Sequence, residues 1–116
     1  RFESIWFEEG MCEYLSQKFT LSDRQLADLR AIEQKMIQLF KGKYGQFPLD
    51  NFGSGSYENA PLAAIMLNYW RSSSAITYLV EERYNGDVMK VFHLYHEWDE
   101  KGRKLPLAEF FGVNDF

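Results

Sequence analysis

The chain has 116 residues, of which 46% are hydrophobic and 17% aromatic, and its formal net charge is -4. This composition excludes an intrinsically disordered tail, and the net charge does not supply the basic surface on which nucleic-acid binding usually depends. The apolar runs are too short to cross a bilayer. We therefore expect one domain, residues 1–116, with no nucleic-acid partner and no membrane segment.

The first predicted helix covers residues 4–18, where apolar side chains recur at steps of three and four residues. Gly10 lies within it, at a cost of about 1 kcal/mol relative to alanine. A glycine at this position indicates that another backbone or a ligand approaches the helix closely. Cys12 is the only cysteine, so no internal disulfide can form, and its apolar surroundings predict a buried side chain.

A second helix is predicted to begin at Ser22, because Gln25 follows three residues later in a capping-box pattern. Its predicted buried side consists of Leu26, Leu29, Ile32, Met36 and Phe40. Glu33 is expected to face water. The irregular segment 42–56 that follows is longer than most connections, so we expect it to be functional or mobile.

The third predicted helix begins near Pro61, a residue suited to a first helical turn, and runs to about Arg83. Its first half, residues 62–67, is apolar on all sides and is expected to be central to the core. Asp87 is expected to cap a fourth helix, residues 88–99, and Pro106 to open a short last helix. Strand-like alternation is lacking, so the fold class is all-α, an irregular array of about five helices.

An acidic pair lies inside the apolar first helix. Glu9 and Glu13 are four residues apart, so both lie on one face of the helix and their like charges repel each other. A metal ion, or one carboxylate on a metal with the other carboxylate holding a ligand in place, would turn that repulsion into a function. The alternative is that Glu9 is a partly exposed acid, favoured by the helix dipole near the first turn, and that Glu13 lies on a solvated face of the helix.

The run Trp6-Phe7-Glu8-Glu9-Gly10 resembles the Trp-x-x-Glu-Gly segment of gluzincin zinc metallopeptidases, the thermolysin- and aminopeptidase-like group of peptidase clan MA. The resemblance implies that Glu9 is the third ligand of a zinc ion. It also implies that Glu13 is an acid that orients a zinc-bound histidine. The fold would then be the C-terminal subdomain of a zincin-like fold.

The run Tyr69-Trp70-Arg71-Ser72-Ser73 resembles a downstream helix of the same peptidases. The resemblance implies that Tyr69 stabilises the oxyanion that develops during peptide hydrolysis. Tyr57 is a competitor for this role. Apart from the resemblance, Tyr69 is expected to be a core tyrosine whose hydroxyl has a hydrogen-bond partner.

The HExxH segment of these peptidases is missing from the chain. The two histidines, His93 and His96, do not form it, and both are expected to be ordinary surface or boundary residues. The resemblance therefore implies a fragment of a longer zinc enzyme that acts on a peptide or protein substrate. We expect this part to be inactive alone and not to bind zinc stably.

Two further interpretations remain open. One is a non-catalytic helical binding or scaffolding module that has a peptidase-like shape. The other is a homodimer formed through an apolar face that the rest of a longer protein would otherwise cover.

Overall fold

The computed structural model describes residues 2–44, 48–52 and 61–116. Five α-helices lie in this part of the chain: α1 Ile5–Thr20, α2 Asp23–Tyr44, α3 Leu62–Thr77, α4 Val88–Glu100 and α5 Leu107–Phe111. A 3-10 turn covers Leu49–Asn51, and a π-helical segment, Tyr78–Arg83, continues α3. The described residues contain no strand, and the prediction of an all-α chain of about five helices is confirmed. Of the irregular segment, residues 45–47 and 53–56 lie outside the described residues.

Local sequence signals explain where two of the helices begin. The Ser22 hydroxyl accepts a hydrogen bond of 3.2 Å from the Gln25 amide, and the Gln25 side chain accepts one of 3.0 Å from the Ser22 amide. These reciprocal bonds form the predicted capping box of α2. The Asp87 carboxylate accepts a bond of 3.0 Å from the Lys90 amide, which caps α4 as predicted.

The close packing of α1 against α3 organises the fold. A Cβ atom added at Gly10 would lie 2.5 Å from the carbonyl oxygen of Ser72 and 2.8 Å from Cγ1 of Ile76. Both distances are too short for carbon, so only glycine allows the two helices to come this close. The predicted approach of another backbone at Gly10 is confirmed.

The core lies mainly between α1, the second half of α3 with its π-helical segment, and the two C-terminal helices. The Phe7 ring stacks on Tyr95 with centroids 4.4 Å apart and on Phe111 at 5.7 Å. The buried Trp6 indole donates a hydrogen bond of 2.9 Å to Asp50, which ties the 3-10 turn to α1. Among the described residues, no helix combines the length and the apolar character needed to cross a membrane.

Four expectations about burial are wrong. Glu33, expected to face water, is buried, whereas Ile32, expected on the buried side of α2, is 58% exposed. Leu62, in the stretch expected to be central to the core, is 74% exposed. Cys12, expected to be buried, is exposed. In α2, Leu26, Glu33 and Ile37 are the residues that face the neighbouring helices. Ile32 lies on another side of the helix and therefore points away from them.

Candidate functional site

A pocket of about 220 Å³ lies between the first three helices. Six described residues line it: Glu13, Glu33, Met66, Tyr69, Trp70 and Ser73. The four from α3 are spaced by three, four and seven residues from Met66, so they share one face of that helix. Glu13 comes from α1 and Glu33 from α2. The pocket therefore depends on the packing of all three helices.

Two carboxylates lie on the acidic side of the pocket. The Gln17 side-chain amide nitrogen is 3.3 Å from Oε2 of Glu13 and 3.3 Å from Oε1 of Glu33, so it donates to both acids. Glu13 is exposed, whereas Glu33 is only 9% exposed. Burial raises the pKa of Glu33, and the Glu13 charge adds to this effect. The hydrogen bond from Gln17 opposes it, but the net direction is upward.

Polar groups without hydrogen-bond partners line the same pocket. The three consecutive serines of α3 show the contrast: the Ser72 hydroxyl donates to the Asn68 carbonyl at 2.7 Å, and the Ser74 hydroxyl accepts from Gln34 at 2.8 Å. Ser73 is only 2% exposed, yet its hydroxyl has no such partner among the residues that the structure describes. The Ser73 hydroxyl is not among the fully buried unpaired atoms of the described residues, so the small exposed part of this residue includes the hydroxyl, which is available to a ligand in the pocket.

Two aromatic residues form the wall beside Ser73. Tyr69 packs edge-on against Phe52, with ring centroids 5.0 Å apart, and Trp70 stacks on Phe40 at 5.8 Å. Within the described parts of the chain, neither the Tyr69 hydroxyl nor the Trp70 indole N–H is hydrogen-bonded. Tyr69 packs against the core as expected, but its hydroxyl has no hydrogen-bond partner among the described residues. Both rings are held by packing while their polar groups remain available to a ligand.

The structure brings together two of the three residues that the peptidase resemblance singled out. Glu13 and Tyr69 line the same pocket. Glu9 is half-buried and is not among the described residues that line it. Tyr57 lies outside the described residues. His93 and His96 are exposed, and the His96 Nε2 atom lies 2.9 Å from Oε1 of Glu100, as in an ordinary surface pair.

The described residues do not fit a zinc centre. Within them, no group of three or more histidine, cysteine, aspartate or glutamate side chains is placed to hold a metal ion. Zinc in proteins takes three or four such ligands, and Glu9 would supply only one. We therefore derive no chemical step through zinc from this chain. The zinc ligand role of Glu9 stays a prediction about a longer protein.

A second polar cluster joins α1 and α2 to the π-helical segment. Arg30 binds Glu81 in a bidentate manner, with N–O distances of 2.8 and 2.9 Å, and Lys18 lies 3.3 Å from the same carboxylate. The hydrogen bond from Arg30 is the main reason that the pKa of Glu81 falls to about 2. Burial and the bond to Glu81 raise the pKa of Tyr14 to about 12. The Glu81 carboxylate is fully engaged, so this cluster is structural.

Sequence reasoning missed Glu33, Trp70 and Ser73 as site residues. A signal for Glu33 was present, because it lies seven residues after Leu26 and four before Ile37, on the stripe that is buried. For Ser73 no signal was present, since the sequence does not show which of three adjacent serines lacks a partner. Comparisons with protein-family models, with curated proteins and with solved structures found no match to this chain.

Proposed function

We propose that this chain is a helical binding module whose pocket takes a small molecule or a single side chain of a partner. The observation that carries the proposal is the hydroxyl of Ser73, a residue only 2% exposed, which lacks a hydrogen-bond partner among the described residues and lines a pocket with Tyr69 and Trp70. An apolar and aromatic wall with a few convergent polar groups is typical of ligand sites. A volume of about 220 Å³ is below that of drug-sized sites, so the ligand is small.

Nuclear magnetic resonance with a fragment library tests this proposal. The library holds alkylamines, carboxylic acids and neutral aromatic compounds, each added at millimolar concentration. We expect at least one class to shift the signals of the Trp70 indole N–H and of the backbone amides of 66–73. The shifts should weaken in Tyr69→Phe and in Ser73→Ala. They should persist in Ser74→Ala, because the Ser74 hydroxyl of the wild type is already bonded to Gln34. If no library compound shifts these signals, the proposal is wrong.

A second proposal is that the chain is the C-terminal part of a zinc-dependent metallopeptidase. It would contribute Glu9 as the third zinc ligand, Glu13 as the orienting acid, Tyr69 at the oxyanion, and one wall of the cleft for a peptide substrate. The observation in its favour is that Glu13 and Tyr69 line one pocket. In this reading the remaining zinc ligands and the catalytic base come from other parts of the longer protein.

The zinc content of that longer protein tests the second proposal. Glu9→Gln should lower both bound zinc and peptidase activity, because one of the ligands is lost. Glu8→Gln, at an exposed neighbouring position, is the matched control and should change neither. Stoichiometric zinc and full activity in Glu9→Gln would contradict the ligand role.

We also propose that the chain forms a homodimer through α2. Ile32 and Leu39 are 58% and 65% exposed and lie seven residues apart, so they face the same way. Leu29 and Met36 extend this side of the helix and are half-buried. The steps of three, four and three residues between these positions match the spacing by which helices pair, over about one and a half heptads.

A further inference from the structure

The charge of the pocket indicates what kind of ligand it takes. The described lining includes two carboxylates, Glu13 and Glu33, and no basic side chain. The Arg30 charge lowers the pKa of Glu33, but both of its terminal nitrogens are bound to Glu81 and Arg30 is not part of the described lining. A cationic ligand would offset the repulsion between the two acids, whereas an anion would add to it.

The hydrogen-bonding capacity of the pocket points to the same ligand. A carboxylate accepts several hydrogen bonds, but Glu13 and Glu33 share the single Gln17 amide at 3.3 Å, which is long for a strong bond. The hydroxyls of Ser73 and Tyr69 can also accept. An ammonium group has three N–H donors and no acceptor, so it would match this set of acceptors.

The apolar part of the lining suits the rest of such a molecule. Trp70 and Tyr69 are aromatic residues of the kind whose ring faces attract cations. Met66 is a flexible apolar side chain next to them on the same face of α3. A short alkyl chain with an ammonium end would therefore pack its methylene groups against the apolar lining and place its charged end near the carboxylates of the same pocket.

We propose that the pocket binds a protonated primary alkylamine, held by Glu13 and Glu33 and by the hydroxyls of Ser73 and Tyr69. This inference rests on the proposed binding function and deepens it by naming the class of ligand. The same ammonium chemistry has two sources, a free small amine and the side chain of a lysine in a partner protein.

Three probes that share a four-carbon chain test the proposal: n-butylamine, n-butanol and butyrate. Each is titrated into the whole chain at about pH 8, where carboxylates are ionised and alkylamines protonated. We expect n-butylamine to shift the Trp70 indole signal and n-butanol and butyrate to bind at least about tenfold more weakly. If n-butanol or butyrate binds as well, the ammonium inference is overturned while the binding function stands. If the fragment library binds elsewhere or not at all, the binding function itself fails.

Substitutions then identify the acids involved. Glu33→Gln and Glu13→Gln should each weaken n-butylamine binding by about tenfold and leave n-butanol binding unchanged, because only the charged contact is removed. Glu100→Gln, in an exposed pair with His96, is the matched control and should have no effect. Unchanged n-butylamine binding in both pocket variants would overturn the assignment of the acids.

A lysine with blocked termini separates the two sources. Binding of the blocked lysine as tight as that of n-butylamine assigns the pocket to a protein side chain. Binding of n-butylamine alone assigns it to a free amine, because the blocked backbone then does not fit. Binding of neither compound overturns the inference.

Discussion

Tyr14 and Glu81 are 67 positions apart in the chain, and a hydrogen bond of 2.9 Å joins the phenol of one to the carboxylate of the other. The bond connects α1 to the π-helical segment, and Arg30 of α2 binds the same carboxylate. Three elements of the fold therefore depend on one negative charge. Tyr14 is only 4% exposed, so neutralising that carboxylate would leave its hydroxyl with a weaker acceptor.

Protonation of Glu81 at low pH should lower the free energy of unfolding. Its pKa is lowered from 4.5 to about 2, so the stability that it contributes is complete above 4.5 and is lost as the pH falls toward 2. We expect Glu81→Gln to lower the free energy of unfolding by roughly 1–2 kcal/mol near neutral pH, since the pair is partly exposed and screened. Urea denaturation at a series of pH values should show this difference shrinking below about pH 4.

Glu100→Gln is the control for that experiment, because its partner His96 and its own side chain are 68% and 66% exposed. The change should alter the free energy of unfolding by less than about 0.5 kcal/mol. A difference between Glu81→Gln and the wild type that stays constant down to about pH 2 would contradict the role of the Glu81 charge.

Gly10→Ala should destabilise the chain. The new methyl group would lie 2.5 Å from the Ser72 carbonyl oxygen, and a backbone atom cannot turn aside as a side chain can. We expect a net loss of about 1–3 kcal/mol, although alanine favours a helix by about 1 kcal/mol. The measurement is thermal or urea unfolding followed by circular dichroism.

Gly42→Ala provides the matched comparison, since a Cβ atom at Gly42 meets nothing within 4 Å. Within α2 the change should stabilise the protein by up to about 1 kcal/mol. Equal effects of the two substitutions would show that α1 and α3 do not approach as closely as described.

Glu33→Gln should stabilise the protein near neutral pH. Burial raises the pKa of Glu33, so folding disfavours its charged form; this penalty is absent at low pH, grows as the pH rises from the ordinary pKa of 4.5 toward the raised pKa, and is complete above it. We expect a gain of about 1 kcal/mol at about pH 8 and little gain below about pH 4. Glu13→Gln should give a smaller gain, because it removes only the neighbouring charge. A loss of stability in Glu33→Gln at about pH 8 would contradict this account.

The proposed homodimer can be tested by sedimentation. We expect the wild-type chain to associate as its concentration increases, and the pair Ile32→Glu with Leu39→Glu to remain monomeric. Met89→Glu is the control, since Met89 is 56% exposed but lies on α4. A wild-type chain that stays monomeric and binds no apolar dye would show that the dimer prediction is wrong.

Much of the helical layout could be predicted from local sequence signals. The capping box at Ser22, the cap at Asp87 and the glycine at position 10 act over a few residues or exclude a side chain entirely, so their effects can be read from the chain. The rotation of α2 could not be predicted in the same way. Its apolar residues are spread over two sides, and only the packing partners decide that Glu33 is buried and Ile32 exposed.

The candidate site was predictable only in part. Glu13 and Tyr69 were singled out, but the reason lay in a family resemblance, and the comparisons neither support nor oppose it. The pocket itself needs three helices at fixed distances. Ser73 contributes to it because of tertiary packing, which leaves no pattern within a single segment of sequence, whereas Glu33 at least shares its spacing with the buried Leu26 and Ile37.

The π-helical segment predicts how this chain would align with a relative that has a regular helix at the same place. A π-helical turn holds about one residue more than an α-helical turn, so Tyr78–Arg83 corresponds to a regular helix with a single-residue insertion. In an alignment with a relative that has an unbroken helix here, we expect a one-residue gap between positions 78 and 83. In such a relative, side chains after the segment would be turned by about 100°, and the counterpart of Glu81 by part of that angle, away from the arginine that binds it in this chain.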